Sequence, residues 1–433
     1  MEYLKRAVTS SAAVDLSPIE SVVDELLRTI ASGGESAVRA VARQLDKFEG
    51  EPIVAPEHLE RRASMVSPQL ARDIDSAHDR IARFARAQLD SVTEFEVELE
   101  PGLVCGQRLV PMNAAGCYVP GGRYAHVASA LMSVATAKIA GVQTVVACTP
   151  PRDGEIDPGI AYALRRSGVD ITLALGGVQA IGAMAYGAFL PQPCDFIAGP
   201  GNAYVAEAKR RLFGTVGIDM YAGPTEILVI ADSTADPSLV AEDLVSQAEH
   251  GPDSPAWLVT LNRELGETVL RRVPHLIAAL PPVSRDAASR AWEAHGEIVW
   301  VPDRATAVSV SDRYAPEHLE VMTTDLEWWR EHLRNYGSLF LGPETTVSYG
   351  DKCSGPNHIL PTRGAARYTG GLSVHKFLKK LTYQRMTADA SARIAPEAAR
   401  LCRAEGMEAH ARAADARDPG HASRRDVAER DDA

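Results

Sequence analysis

Residues 145–202 read VVACTPPRDGEIDPGIAYALRRSGVDITLALGGVQAIGAMAYGAFLPQPCDFIAGPGN. Three short apolar runs in this stretch predict buried strands, at Val145–Cys148, Ile171–Leu175 and Phe196–Ala198. The segments between them, Asp157–Ser167 and Gln179–Gly187, predict helices. Because strands and helices alternate at this pitch, the sequence favours an α/β fold with a parallel sheet covered by helices.

The flanking sequence extends this pattern on both sides. Further strands are predicted by four apolar runs, at Ile227–Ala231, Trp257–Thr260, Glu297–Val301 and Ser338–Leu341. These runs indicate a second sheet-bearing unit. Near the N-terminus, Ser17, Pro18 and Glu20 predict the start of a helix that Gly33-Gly34 ends. After about Arg393 the chain is helical in character, and beyond Arg417 it becomes a polar, charged tail.

Composition narrows the class of protein. The chain has 433 residues and a formal net charge of −12, which argues against nucleic acid or an anionic membrane surface as the main partner. The six cysteines show no CxxC spacing, a pattern typical of reduced thiols. We predict neither a secretory signal nor a membrane span, and therefore a cytoplasmic protein.

Four side chains are donors of the kind that zinc accepts, namely Gln247, His250, Asp351 and His410. Gln247 and His250 are three residues apart on a predicted helix, so both can reach one ion. The ordinary alternative is a polar helix end, where a histidine also suits the helix dipole. His410 lies just before the polar tail, which raises the possibility that it serves a neighbouring subunit.

Glu317-His318 is an adjacent pair suited to moving protons near neutral pH. Pro316 predicts that both residues lie in the first turn of a helix, whose dipole favours an ionised glutamate and a neutral histidine. A plain N-terminal carboxylate beside a surface histidine is the alternative. Two other segments are candidates. Residues 350–358 are predicted to be a site-bearing loop, and Gly199-Pro200-Gly201-Asn202 could approach a phosphate before a helix.

Taken together, these segments resemble the histidinol dehydrogenase family. The matching motifs run in family order across residues 20 to 412: GCYVPGG (116–122), GGVQA (176–180), GPGNAYV (199–205), YAGPTEILVIA (221–231), SQAEHGPDS (246–254), APEHL (315–319), residues 350–361 and EGMEAH (405–410). The resemblance implies an α/β fold with two sheet-bearing units, one an incomplete Rossmann-like NAD-binding unit, and an intertwined homodimer.

The resemblance also implies domain boundaries. These are an N-terminal helical segment (1–24), a main α/β domain carrying zinc and catalytic residues (25–117 with 227–372), a Rossmann-like NAD-binding domain (118–226), a C-terminal helical arm that reaches the partner subunit (373–415) and a disordered tail (416–433). On this view Glu405 and His410 complete the site of the neighbouring subunit.

Site residues follow by resemblance, position by position. One Zn²⁺ per subunit would be held by Gln247, His250, Asp351 and His410, with Glu317 and His318 as the catalytic pair. NAD would be contacted by Tyr118, Gln179 and Asn202. Substrate would be contacted by the zinc ligands together with His318, Thr225, His358 and Glu405. Family members oxidise a primary alcohol through an aldehyde to a carboxylate with two NAD⁺, and the zinc mainly orients the substrate.

Some segments are more similar to the sulfopropanediol 3-dehydrogenase branch, which oxidises 2,3-dihydroxypropane-1-sulfonate to sulfolactate. They are residues 123–129, 351–353 and 366–371. A sulfonate needs cationic or hydrogen-bonding partners, and the candidates are Arg123, His126, Lys352, Arg367, His375 and Lys376. Alternatively, these are surface charges. Oxidation of L-histidinol to L-histidine is the alternative activity, and a non-catalytic, metal-dependent binding or assembly protein is a third reading.

Overall fold

The computed structural model describes residues 1–8, 17–121 and 125–420. The helices are α1 (Ser17–Leu45), α2 (Pro56–Ala63), α3 (Pro68–Asp90), α4 (Val127–Ile139), α5 (Pro158–Ser167), α6 (Gly177–Tyr186), α7 (Ala203–Leu212), α8 (Pro237–Ala248), α9 (Arg263–Ala279), α10 (Pro282–His295), α11 (Arg304–Tyr314), α12 (Leu326–His332), α13 (Val347–Lys352), α14 (Ala388–Ala404) and α15 (Glu408–Asp415). The strands are β1 (Glu2–Lys5), β2 (Phe95–Glu100), β3 (Leu103–Pro111), β4 (Ala114–Tyr118), β5 (Thr144–Cys148), β6 (Ile171–Leu173), β7 (Phe196–Ala198), β8 (Gly217–Ile218), β9 (Ile227–Ala231), β10 (Ala256–Thr260), β11 (Glu297–Trp300), β12 (His318–Met322), β13 (Ser338–Leu341) and β14 (Leu378–Met386).

The chain divides into two compact units. The large unit comprises Met1–Leu89 and Pro111–Phe377, and the small unit comprises Asp90–Val110 and Leu378–Ala433, as far as they are described. Residues 90–110, expected in the main α/β domain, therefore group with the C-terminal segment. Within the described ranges, no helix is both long enough and apolar enough to cross a bilayer.

The first sheet of the large unit is parallel and has five strands, in the order β6-β5-β4-β7-β8. Numbered by their own sequence order, these strands run 3-2-1-4-5. Helices α4 and α5 pack together, as do α6 and α7, with α1 against the second pair. The chain reverses direction across the sheet between β4 and β7. In doubly wound sheets, the carboxyl ends of the strands at this reversal form the ligand crevice.

The second sheet repeats this permutation. Its order is β1-β11-β10-β9-β12-β13, so β9 to β13 again run 3-2-1-4-5, and β1 is an antiparallel edge strand. Alternate residues of β9 enter different cores. Ile227, Val229 and Ala231 pack with α8 to α10, whereas Leu228 and Ile230 pack in the opposite cluster. Continuous burial on both faces explains why these strands read as unbroken apolar runs.

The small unit has a three-stranded sheet in the order β14-β3-β2, in which β2 and β3 are antiparallel. Helices α14 and α15 pack against each other. Thr387 is the N-cap of α14, and its side chain accepts a hydrogen bond from Ala390 N. The predicted C-terminal arm is therefore not wholly helical, because residues 378–386 form a strand. The tail beyond residue 420 lies outside the described residues.

Most predicted elements of the large unit are confirmed within two residues at either end. The glycine break at Gly33-Gly34 is also present, because Gly34 leaves helical geometry at φ 56°, but the chain resumes as helix up to Leu45. Residues 2–5, expected in an N-terminal helical segment, instead form β1. They do so because Glu2–Lys5 pairs with residues 298–300 of β11, a contact that local sequence does not encode.

A buried ion pair fixes the loop after β7. Lys209 Nζ lies 2.5 Å from Asp219 Oδ1 and donates to Gly199 O at 2.8 Å, while Asp219 Oδ2 accepts from Gly199 N. Both side chains are almost fully buried, at 2% and 0% exposure. The pair therefore anchors the backbone of the Gly199 turn from both sides.

We expect Lys209→Met to lower the free energy of unfolding by about 3–5 kcal/mol, because Asp219 would be left buried without its counter-charge. The matched control is Lys138→Met, whose pair with Asp170 is partly exposed and worth only about 0–1 kcal/mol. Urea unfolding of both variants checks the difference. Equal midpoints for the two variants would contradict the proposed anchoring role.

Candidate active site

Glu317 and His318 lie where the chain enters β12, at the amino end of a central strand. The prediction that Pro316 opens a helix here is wrong, because residues 318–322 pair with β9 on one side and β13 on the other. All five residues are buried, so sheet pairing outweighs the local proline signal. Consequently no helix dipole acts on the pair, and its protonation is set by neighbouring side chains.

The Glu317 carboxylate is held in a defined orientation. Its Oε2 accepts from Thr225 Oγ1 at 2.6 Å and from Glu226 N at 3.0 Å. Burial raises the pKa of Glu317 to about 7, although His318, Thr225 and the Glu226 amide each favour the ionised form. A carboxyl group with this pKa can exchange a proton with water at neutral pH.

His318 is oriented by the backbone. Its Nδ1 lies 3.0 Å from Glu226 O, and a hydrogen bond to a carbonyl requires that Nδ1 carry a proton. The other ring nitrogen, Nε2, is buried and lies 3.4 Å from Asp351 Oδ1, without the geometry of a hydrogen bond. Burial lowers the pKa of His318, but Glu317 and Asp351 outweigh it and raise the pKa to about 9. These carboxylates therefore favour a protonated His318, whereas the predicted helix dipole would favour a neutral one.

Gln247 joins this arrangement through Thr225. Its Nε2 donates to Thr225 Oγ1 at 2.7 Å, so the hydroxyl group accepts from Gln247 and donates to Glu317. The amide orientation is thereby fixed, and Gln247 Oε1 is a buried acceptor with no hydrogen-bond donor among the described residues. Helix α8 ends at Ala248, so His250 lies just beyond it rather than in its last turn as predicted, and its side chain is exposed.

Asp351 lies in α13, so residues 350–352 of the predicted loop are helical, whereas residues 353–358 form no helix or strand, as predicted. The helix forms because Thr346 caps it, accepting from Ser348 N, and because its first N–H bonds to Glu320. Burial alone would raise the pKa of Asp351, but His318, His358 and Lys352 hold it well below its usual range. Lys352 Nζ lies 3.9 Å from Asp351 Oδ2. Asp351 is thus an anionic ligand candidate beside the catalytic pair.

The first sheet contributes residues from the start of α4. His358 Nε2 lies 2.9 Å from Ser129 Oγ, and burial lowers the pKa of His358 to about 4 despite the charge of Asp351. His126 precedes α4 and interacts electrostatically with Lys352, His250 and Asp351. Its pKa is lowered, first by burial and then by Lys352. Both histidines are therefore neutral near pH 7 and can act as hydrogen-bond partners.

The residues expected to contact NAD lie at the strand reversal of the first sheet. Tyr118 ends β4, and its hydroxyl accepts from Gly177 N at 3.2 Å. Asn202 follows β7 and caps α7 through Tyr204 N and Val205 N. Gln179 is fully buried and donates to Asp46 Oδ2, while its Oε1 has no donor in the described chain. Gly199, at φ +126°, brings the next turn so close that a Cβ there would lie 2.1 Å from Tyr118 O.

Other predicted residues are placed elsewhere or cannot be placed. Arg367 donates to the carbonyls of Gly364 and Arg313, and His375 Nε2 lies 2.8 Å from Gln88 O, so both have structural roles. Arg123 lies outside the described residues. Glu405 and His410 belong to the small unit, where both are exposed. In the described part of the chain, no three His, Cys, Asp or Glu side chains form a metal-binding group.

Sequence reasoning missed three residues of the site. Glu226 is buried beside Glu317, and its Oε1 accepts from Arg363 N. Burial and the neighbouring Glu317 raise the pKa of Glu226 to about 8. Ser129 binds His358, and Glu320 lies two residues after His318 on β12. The only local signals were that Glu226 directly precedes the apolar run 227–231, which predicts a strand, and that Glu320 stands between the apolar residues Leu319 and Val321.

Known proteins are similar to this chain in sequence and in fold. A profile of the family described as histidinol dehydrogenase matches residues 9–418. The chain is 51% identical to a sulfopropanediol 3-dehydrogenase of Ruegeria pomeroyi over 96% of both chains, and 52% identical to a histidinol dehydrogenase homolog of Pelagibacter ubique over 96% of this chain and 97% of that one. A crystal structure of histidinol dehydrogenase from Elizabethkingia anophelis superposes with a TM-score of 0.87 at 34% identity, covering 94% of this chain and 93% of that chain. This chain therefore belongs to the histidinol dehydrogenase family, as a dehydrogenase acting on CH–OH groups.

Proposed function

We propose that this protein is a zinc-dependent, NAD⁺-linked dehydrogenase that oxidises a primary alcohol through an aldehyde to a carboxylate. Its substrate is 2,3-dihydroxypropane-1-sulfonate and its product is sulfolactate. The observation that carries the proposal is the hydrogen-bonded chain from Gln247 through Thr225 to Glu317, whose Oε2 lies 3.6 Å from His318 Nδ1. Through the Thr225 hydroxyl group, this chain links Gln247, a candidate metal donor, to the Glu317–His318 pair.

The donor set fits a zinc ion. Gln247 Oε1 is a buried acceptor without a donor among the described residues, and Asp351 is held ionised, so an amide oxygen and a carboxylate are available as ligands. His250 and His410 would supply the two nitrogen ligands. Zinc, when bound, would orient the substrate hydroxyl and neutralise Asp351, whose charge otherwise raises the pKa of His318.

With bound zinc offsetting the charge of Asp351, His318 would be neutral and would take the hydroxyl proton through Nε2, because its Nδ1 is committed to Glu226 O. Glu317 would activate the water that hydrates the aldehyde, because its pKa of about 7 lets it accept a proton at neutral pH. Thr225 keeps the Glu317 carboxylate directed towards the site. The two residues thus divide the work, with His318 acting at the alcohol and Glu317 at the water.

NAD⁺, when bound, would accept the hydride in each of the two oxidations. Tyr118, Gln179 and Asn202 would hold it, and their position at the strand reversal of a 3-2-1-4-5 sheet supports this assignment. The Gly199 turn supports it as well, since a side chain there would collide with Tyr118. A cavity of about 260 Å³ opens after β4 and β5, lined among others by Gly121, Pro150 and Asp157.

The protein would act as a homodimer with shared sites, in which Glu405 and His410 serve the partner subunit. Both side chains are exposed in the single chain, as a residue destined for another subunit must be. The small unit also exposes several large apolar side chains that a partner could cover, namely Phe95, Val97, Leu99, Leu381, Met386 and Leu401.

A sulfonate would bind next to Lys352 and His126. Lys352 is the cation beside Asp351, and His126 interacts electrostatically with it, whereas Arg367 and His375 have other partners. The 51% identity with the Ruegeria enzyme also favours this substrate. L-histidinol is the alternative substrate, favoured by the match to the Elizabethkingia enzyme. A non-catalytic binding role is disfavoured because Glu317 and His318 are both present and linked to the donor set.

We expect a strong zinc chelator to abolish turnover, and His250→Ala or Asp351→Ala to reduce kcat/KM on the order of 10²-fold or more, because a ligand-deficient site loses its metal. The measurement is NADH production together with the zinc content of each purified protein. His275→Ala is the matched control, since His275 is exposed and bonded only to its own helix. Undiminished activity in metal-free protein would overturn the metal requirement.

A further inference from the structure

Three elements that carry site residues meet at one carboxyl pair, formed by the half-buried Asp243 and the buried Glu320. Asp243 lies on α8, one helical turn before Gln247, so the two side chains share a helix face. Glu320 lies on β12, two residues after His318, so these two share a strand face. The amino end of α13, which carries Asp351, contacts both carboxyl groups.

The contacts are specific. Thr346 Oγ1 donates to Asp243 Oδ1 at 2.8 Å, and Val347 N donates to Glu320 Oε1 at 2.8 Å. Thr346 also caps α13 by accepting from Ser348 N. The two carboxyl groups therefore each accept a hydrogen bond from the start of α13, Asp243 from its position on α8 and Glu320 from its position on β12. Gln247, His318 and Asp351 are each carried by one of the three elements joined in this way.

The two carboxyl groups also interact with each other. Glu320 is 1% exposed. Among the described residues, the Asp243 carboxyl group is the one hydrogen-bond partner available to Glu320 Oε2. Burial raises the pKa of Glu320 well above its ordinary value and also raises that of Asp243. Two buried carboxylates would repel, so the low-energy arrangement has one proton shared between them.

We propose that the Asp243–Glu320 pair is a positioning unit that sets the spacing of Gln247, His318 and Asp351 around the metal. The inference rests on the proposed zinc site but goes beyond it, because neither carboxyl group belongs to the proposed ligand set or to the proton-transfer pair. Losing the pair would free the start of α13, and Asp351 would move relative to Gln247. Outer residues that orient metal ligands change metal affinity by roughly 10–100-fold when removed.

The test compares Glu320→Ala with Glu320→Gln. The glutamine amide can donate to Asp243 in place of the shared proton while its oxygen still accepts from Val347 N, so the contacts survive. We expect Glu320→Ala to weaken zinc binding by about 10–100-fold and Glu320→Gln to stay within a few-fold of the parent protein. Zinc affinity is measured by competition with a chromogenic chelator, so the readout does not depend on turnover.

Leu164→Ala is the control for general destabilisation. Leu164 is fully buried in α5, so its truncation destabilises the fold without touching the pair. Its zinc affinity should equal that of the parent protein. Thr346→Val is the milder second variant if Glu320→Ala does not fold, and it should weaken zinc binding several-fold because it removes the hydroxyl group that bonds to Asp243 and caps α13 at Ser348 N.

Parent-like zinc affinity in folded Glu320→Ala or, where that variant does not fold, in Thr346→Val would overturn the positioning role. Equal losses in Glu320→Ala and Glu320→Gln would overturn it too, as would the same loss in Leu164→Ala. A parent protein that binds no zinc would instead refute the proposed function, so the two failures are distinguishable.

Discussion

His318→Ala is expected to lower the rates of both oxidation steps by about 10²–10⁴-fold, because a positioned general base contributes that much. His318 Nε2 is the free ring nitrogen at the site, and Nδ1 is fixed by Glu226 O. Both the alcohol and the hydrated aldehyde must lose a hydroxyl proton as hydride departs. One missing base therefore affects both steps, which is measured by supplying alcohol and aldehyde separately and following NADH.

Glu317→Gln should behave differently from His318→Ala. The amide keeps its acceptor for Thr225 Oγ1 and the Glu226 amide but cannot take a proton from water. We therefore expect aldehyde oxidation to slow much more than alcohol oxidation, with the aldehyde released or accumulating. Equal losses in the two steps would contradict this division of labour. His275→Ala, a substitution on the exposed face of α9, should leave both rates unchanged.

Mixing His318→Ala subunits with His410→Ala subunits should restore activity that neither variant has alone. If His410 serves the partner's site, a mixed dimer has one site with both substitutions and one with neither. With random exchange at equal amounts, about half of the dimers are mixed, so about a quarter of the parental activity should return. The measurement is NADH production before and after subunit exchange.

Subunit exchange must be verified independently, for example with differently tagged subunits isolated as a mixed species. Pure mixed dimers should then show about half of the parental activity, since one of their two sites is intact. Absence of recovery in verified mixed dimers would place His410 in the site of its own chain. That result would leave the roles of Glu317 and His318 untouched.

The sequence predicted the elements that depend on their own residues. The strands at 145–148, 196–198 and 227–231 are buried on both faces, so each is an apolar run that needs no knowledge of its neighbours. Asp157 caps α5 as expected for an Asp-Pro pair at a helix start. The sequence also predicted the α/β class, which the match to a histidinol dehydrogenase structure confirms.

The elements that the sequence did not predict depend on distant partners. His318 is in a strand because β9 and β13 flank it, and Asp351 is in a helix because Asp243 and Glu320 hold its first turn. Residues 95–100 group with the C-terminal segment because β2 pairs with β3, and β3 in turn pairs with β14 from the other end of the sequence. Likewise, the raised pKa of Glu226 comes from burial beside Glu317, which no local pattern reveals.

We propose above all that the site oxidises a sulfonated diol in two NAD⁺-linked steps. The most direct measurement supplies zinc-loaded protein with 2,3-dihydroxypropane-1-sulfonate and with L-histidinol in parallel, and quantifies NADH and product at completion. We predict close to two NADH per diol, sulfolactate as the product, and a far lower kcat/KM for histidinol. Oxidation of histidinol to histidine without any NADH from the diol would contradict the claim.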